Sequence, residues 1–123
     1  MNADDFSAKL RSCIGAGQVL TNPGGGRNKV ISVDEEKTTY KRGKSRFYFP
    51  IDVLYMTYSR FSGNSVSSTD LKAYLPHMFD SKKNGHSCHC TFFLMVLREM
   101  NIVPAIDGRG RRGDPFNVEI PSR

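Results

Sequence analysis

Phe6, Leu10, Cys13 and Ile14 recur at helical spacing, with Lys9 and Arg11 on the opposite side. The first segment therefore predicts a short amphipathic helix, which Gly15 and Gly17 stop. Pro23 and the three glycines that follow form a loop that no helix or strand interior tolerates. The period then falls to two. Residues 29–33 and 38–42 predict strands joined by the polar turn 34–37, and residues 45–49 predict a third strand ended by Pro50.

From Ile51 the helical period returns. Ile51, Leu54, Tyr55, Tyr58 and Phe61 mark one face, with Pro50 suited to the start and Gly63 and Asn64 to the end. The run from Ser67 to Asp70 supplies an N-cap and an acid for a second helix through Leu71, Tyr74, Leu75 and Met78, which Pro76 ends or kinks. A polar loop, 80–85, leads to a third helix from about Ser87 to Met100. Cys90, Phe93, Val96, Leu97 and Met100 line one side of it, and Phe92, Leu94 and Met95 make it apolar nearly all round, so it predicts burial on most sides. The tail reads as a β-hairpin: residues 103–106 and 116–120 flank a loop, 107–115, in which three glycines and three arginines predict a flexible cationic tip.

Composition narrows the class. A length of 123 residues, 38% of them hydrophobic, suits one domain with its own core. The longest apolar run, Phe92–Leu97, is far below the roughly twenty residues that a membrane span needs. The acidic start, Asp4 and Asp5, shows no secretory signal, and membrane association is not expected. Three cysteines, two of them one residue apart at Cys88 and Cys90, make no disulfide framework and point to a reducing, cytoplasmic setting. Eighteen Lys and Arg against twelve Asp and Glu give a net charge of +6. That balance favours polyanionic partners, nucleic acid most often.

The positive charge is clustered. Lys41, Arg42, Lys44 and Arg46 fall within six residues beside Tyr40, Phe47 and Tyr48, and Arg27 and Lys29 precede them next to the glycines. Cations interleaved with aromatics suit phosphate neutralisation with stacking on bases. The competing interpretation is an exposed edge strand whose lysines block aggregation. A second cluster, Arg109, Arg111 and Arg112, occupies the tail loop, and Lys82 and Lys83 lie in the loop before the third helix.

Three helices followed by a hairpin with a basic tip, over residues 51–120, resemble a winged-helix DNA-binding domain in element order and wing composition. The chain is expected to be α+β and a single domain: the pattern gives residues 1–50 a helix plus a small antiparallel sheet with a basic hairpin, and the resemblance implies for 51–123 a winged-helix-like unit of three helices and a β-hairpin. It implies that Arg109, Arg111 and Arg112 are wing contacts. It also implies that the polar start of the third helix, Ser87, His89 and Thr91, faces a groove. The third helix departs from the pattern, carrying only Arg98 and Asn101 near its far end, where a recognition helix exposes several base-reading side chains. Some relatives of that family bury the helix and dock proteins.

Other motifs carry less. Gly43, Lys44 and Ser45 end like a phosphate-binding loop, but Thr38 stands where its first glycine belongs, and a strand rather than a helix follows. Pro23–Gly26 has the makings of an anion-binding nest, although three glycines more often make a turn. His86, Cys88, His89 and Cys90 contain metal-ligating types, with His77 and Cys13 as distant complements, but lack two separated pairs, so no metal is expected. Glu35 and Lys37 match half of a metal-dependent nuclease signature, with Asp4, Asp5 or Asp52 as the second carboxylate, yet a turn tip is a poor base for a preorganised site. The expected function is non-enzymatic binding of nucleic acid, double-stranded DNA above all, without a cofactor. A homodimer would strengthen such binding. The alternatives are a protein-interaction module that works with a protein partner, such as an accessory or inhibitor subunit of a nucleic-acid machine, and a small metal-dependent nuclease.

Overall fold

The computed structural model describes residues 1–122. The first helix, α1 (Ala3–Cys13), is capped by Asn2, whose side chain accepts the Asp5 N–H at 2.8 Å. Four short strands follow: β1 (Val19–Thr21), β2 (Arg27–Val33), β3 (Lys37–Arg42) and β4 (Ser45–Pro50). They form an antiparallel sheet in the order β1-β2-β3-β4. Each turn has a local cause. The Asn22 side-chain oxygen accepts the N–H groups of Gly24 and Gly26 at 2.9 and 3.1 Å. The Asp34 carboxylate accepts those of Glu36 and Lys37 at 2.8 and 2.9 Å, and these bonds hold its pKa below the usual carboxylate value. Between β3 and β4 the turn has two central residues, the first being Gly43 at φ +59°.

Helix α2 (Ile51–Phe61) begins directly after Pro50 and buries Ile51, Leu54, Thr57 and Tyr58. Phe6 of α1 stacks on Tyr58 and meets Tyr55 edge-on, with ring centroids 5.3 and 5.5 Å apart. A short strand, β5 (Ser65–Ser67), leads into α3 (Ser68–Tyr74), which carries a capping box between Ser67 and Asp70. Pro76 breaks the predicted second helix in two and takes the first position of α4 (Pro76–Phe79). A 3-10 turn (Ser81–Lys83) precedes α5 (Cys88–Glu99).

Helix α5 is the centre of the molecule. Cys90, all of Phe92–Leu97 and Met100 are buried. On the sheet side Phe92 stacks on Tyr40 of β3, with ring centroids 3.9 Å apart and planes 8° off parallel. On the other side Phe79 of α4 meets Phe93. Each such side chain contributes roughly 1.5–3 kcal/mol by burial. Among the described residues no helix is long and apolar enough to cross a membrane. The fold is α+β.

The tail departs from the expected hairpin. Residues 103–106 form no strand. Pro104 has no N–H to give a ladder, and the Val103 N–H turns back to the Leu97 carbonyl at the end of α5. The last strand, β6 (Asn117–Glu119), pairs instead with β5, aligning Val118 with Val66. Only one bridge, Asp107 with Asn117, closes the base of the arginine loop.

Candidate nucleic-acid interface

Strand register assembles the basic cluster. Val19, Lys29, Lys41 and Arg46 are successive partners across all four strands, so they lie in one row. The neighbouring row, Val30, Tyr40 and Phe47, faces the core, and alternation sends Lys29, Lys41 and Arg46 outward, where all three are exposed. Arg27 lies two residues from Lys29 on the same face, beside the β1–β2 turn. Tyr48, 57% exposed, lies two residues from Arg46 on that face. Arg42 and Lys44 are at the β3–β4 turn, which antiparallel pairing places at the same end of the sheet as the β1–β2 turn.

Directly opposed like charges on adjacent strands destabilise a sheet. The described residues offer this row no relief: their only two ion pairs are Lys37 with Asp34 at 3.7 Å and Arg109 with Asp114 at 3.9 Å. The edge-strand interpretation fits Arg46, since β4 is an edge. It does not fit Lys29 and Lys41, which stand on the interior strands β2 and β3.

The arginine loop is built rather than loose. The N–H of Arg111 donates to the Asp114 carbonyl at 3.1 Å, and the N–H of Asp114 donates back to the Arg111 carbonyl at 2.8 Å. Gly110, at φ +70°, packs so closely on Phe116 that a β-carbon there would lie 2.3 Å from the ring. Only glycine fits. The β1–β2 turn reaches the same ring, since a β-carbon at Gly24 would sit 3.2 Å from it. Phe116 thus joins the turn beside Arg27 to the loop holding Arg109, Arg111 and Arg112. Arg111 and Arg112 also wall a cavity of about 420 Å³, shared with the first turns of α3 and α5.

Several expected contacts lie elsewhere. His89 is buried, with its Nδ1 2.7 Å from the Tyr40 hydroxyl and its ring against Phe47 and Phe49. It faces no groove, because this turn of α5 packs on the sheet. Burial, with the neighbouring His86 second, pushes its pKa down to about 4. Thr91 is half-buried, donates to the Cys88 carbonyl and lines the arginine-walled cavity. Lys82 and Lys83 are exposed in the α4–α5 connection, which Ser81 ties to Ser87 through a 2.9 Å hydroxyl contact. Of the three aromatics beside the basic cluster, Tyr40 turns fully inward, Phe47 packs on it, and only Tyr48 accompanies the cations outward. The sequence held no local sign of Lys72, Ser68 and Thr69, which the fold of α3 carries to the same cavity.

The cysteines diverge. The buried Cys90 thiol is pushed up to about 12 by burial and lies against the carbonyls of Phe79 and Ser68. Cys88 accepts a bond from Tyr40, whose own pKa burial raises. Among the described residues no three His, Cys, Asp or Glu side chains converge on a metal position. Asp4, Glu35, Glu36 and Asp52 do share a cleft between α1, α2 and the β2–β3 turn, without reaching such a geometry. That cleft is at the opposite end of the sheet from the β1–β2 and β3–β4 turns, so the charge is polarised along it. Gly43 to Ser45 forms a hairpin turn and opens no helix. Comparison with protein-family models, curated proteins and solved structures gave no match.

Proposed function

We propose that this protein binds nucleic acid, with double-stranded DNA as its preferred form, through phosphate contacts and without catalysing a reaction on it. The observation that carries this reading is the row Lys29, Lys41 and Arg46: three outward cations opposed across adjacent strands, with no carboxylate among the described residues paired to them. A polyanion laid across β2, β3 and β4 removes their mutual repulsion and releases its own counterions. Arg27, Arg42 and Lys44 extend the surface toward the turn end, and Tyr48 offers a ring beside it. The loop contributes Arg111 and Arg112, and Arg109 alongside its partner Asp114. A base closed by the Asp107–Asn117 bridge and continued by β6 supports treating 107–115 as a wing.

Burial of α5 sets the mode of recognition. With His89 inside and Thr91 bonded to its own helix, α5 has few groups for base edges, so affinity rests on the backbone. Contact with about six phosphates gives a log–log salt slope near −5 on duplex DNA. Replacing Arg109, Arg111 and Arg112 together by Ala is expected to flatten that slope by up to about three units. Fluorescence anisotropy of labelled duplex across a salt series measures this, and an unchanged slope would remove the loop from the interface.

A further inference from the structure

We propose that the cavity walled by α3, α5 and the arginine loop receives a terminal phosphomonoester, the phosphorylated end of a nucleic-acid strand. The inference rests on the nucleic-acid reading and extends it from the sheet face to a second, differently shaped site. Whereas the sheet row lines a more open depression of about 340 Å³, this is a concavity of about 420 Å³ bounded by three segments of the chain.

Its lining is selective in chemistry. Lys72 from α3 and Arg111 and Arg112 from the loop bring positive charge, while Ser68 and Thr69 bring hydroxyls; those of Ser87 and Thr91 are engaged with Ser81 and with the Cys88 carbonyl. No Asp or Glu lines it. Three acids near it are engaged: Asp70 is folded back onto Ser67 in the capping box at 2.8 Å, Asp114 faces Arg109, and Asp80, which acts on the Cys90 thiol, accepts the Lys82 N–H at 3.0 Å.

An internal phosphodiester carries one negative charge, has two free oxygens and continues as chain on both sides. A terminal monoester near neutral pH carries between one and two charges, has three acceptor oxygens and continues on one side only. A concavity with three cations, from α3 and from the loop, and the α3 hydroxyls of Ser68 and Thr69 matches the second group, because the guanidinium forks, the ammonium and the hydroxyls can each take a different oxygen. Continuous backbone is better served by the more open sheet face. The two sites then divide the ligand between them, with the strand interior on β2–β4 and its end beside α5.

The test is anisotropy at fixed moderate salt with four versions of one labelled duplex: 5′-phosphate, 3′-phosphate, both ends phosphorylated and both ends hydroxyl. The full chain is compared with Lys72→Gln and with Thr69→Val, two positions on the outer part of α3. A terminal phosphate on one strand end or the other is expected to tighten binding by about tenfold, the equivalent of 1.4 kcal/mol. The 5′ and 3′ arms show which end is taken. Lys72→Gln is expected to erase that preference while leaving the hydroxyl-ended duplex within about twofold, the loss of one diffuse charge. Equal affinity for phosphate and hydroxyl ends would overturn the terminal-phosphate site and leave the sheet-face reading standing. So would a preference that both α3 variants retain in full. Failure of every duplex to bind would overturn both.

Discussion

Burial of His89 turns a titratable side chain into a pH-dependent element of stability. The ring lies 2.7 Å from the Tyr40 hydroxyl and stays neutral down to about pH 4, against an ordinary value of 6.5. Above pH 6.5 it is neutral folded or unfolded, and its contribution is complete. As the pH falls from 6.5 toward 4, the unfolded chain takes up a proton that the folded chain refuses, and stability declines by an amount on the order of 3 kcal/mol. Urea unfolding at pH 7.5 and 4.5 is expected to show that decline, and His89→Gln, which cannot titrate, to lose most of it. An equal decline in the variant would place the titration elsewhere. Asn28 makes a second prediction at this scale. It is 1% exposed on β2 beside Leu20, and neither its side-chain oxygen nor its nitrogen has a hydrogen-bond partner among the described residues. An unsatisfied buried amide costs about 1–3 kcal/mol. Asn28→Leu is therefore expected to raise the urea midpoint by the equivalent of about 1 kcal/mol or more. A lowered midpoint would show that the amide has a stabilising role.

At the scale of elements, the sheet sets charge repulsion against ligand binding. Lys29 and Lys41 face each other across β2 and β3, and Arg46 continues the row on β4. Replacing the central cation by Lys41→Glu converts two repulsive neighbours into attractive ones. The expected result is a fold more stable by about 0.2–1 kcal/mol at low salt, together with weaker DNA binding. Thermal melts and anisotropy on the same preparation check both halves. A variant that loses stability would mean that Lys41 serves packing rather than binding. Much of this level was legible in the sequence. Period-two patterning and Pro50 located β2–β4 and the start of α2, and Pro76 marked the break before α4. Strand β1 escaped because three residues with one buried side chain, Leu20, carry no recognisable alternation. The tail strand at 116–120 was legible and is β6, but its hairpin failed for a tertiary reason: the partner of β6 is β5, far earlier in the chain, and Pro104 had already removed a donor from the nearer candidate.

Across the whole molecule, acidic and basic groups separate along the sheet. Asp4, Glu35, Glu36 and Asp52 gather near the β2–β3 turn, and the cations gather toward the β1–β2 and β3–β4 turns. Such a distribution steers a polyanion to one end before contact is made. The sequence revealed the two basic clusters but not that Gly24 and Gly110 meet on Phe116, because that junction joins residues from opposite ends of the chain. It also left His89 in the wrong environment. A histidine at the polar start of a helix looks exposed until the sheet that covers it is known. The most direct test of the central claim is the salt dependence of duplex binding for the triple variant Lys29→Ala, Lys41→Ala, Arg46→Ala against the unaltered chain. A slope near −5 is expected for the unaltered chain, reduced in magnitude by up to about three units in the variant. Equal slopes and affinities for the two proteins would contradict that claim.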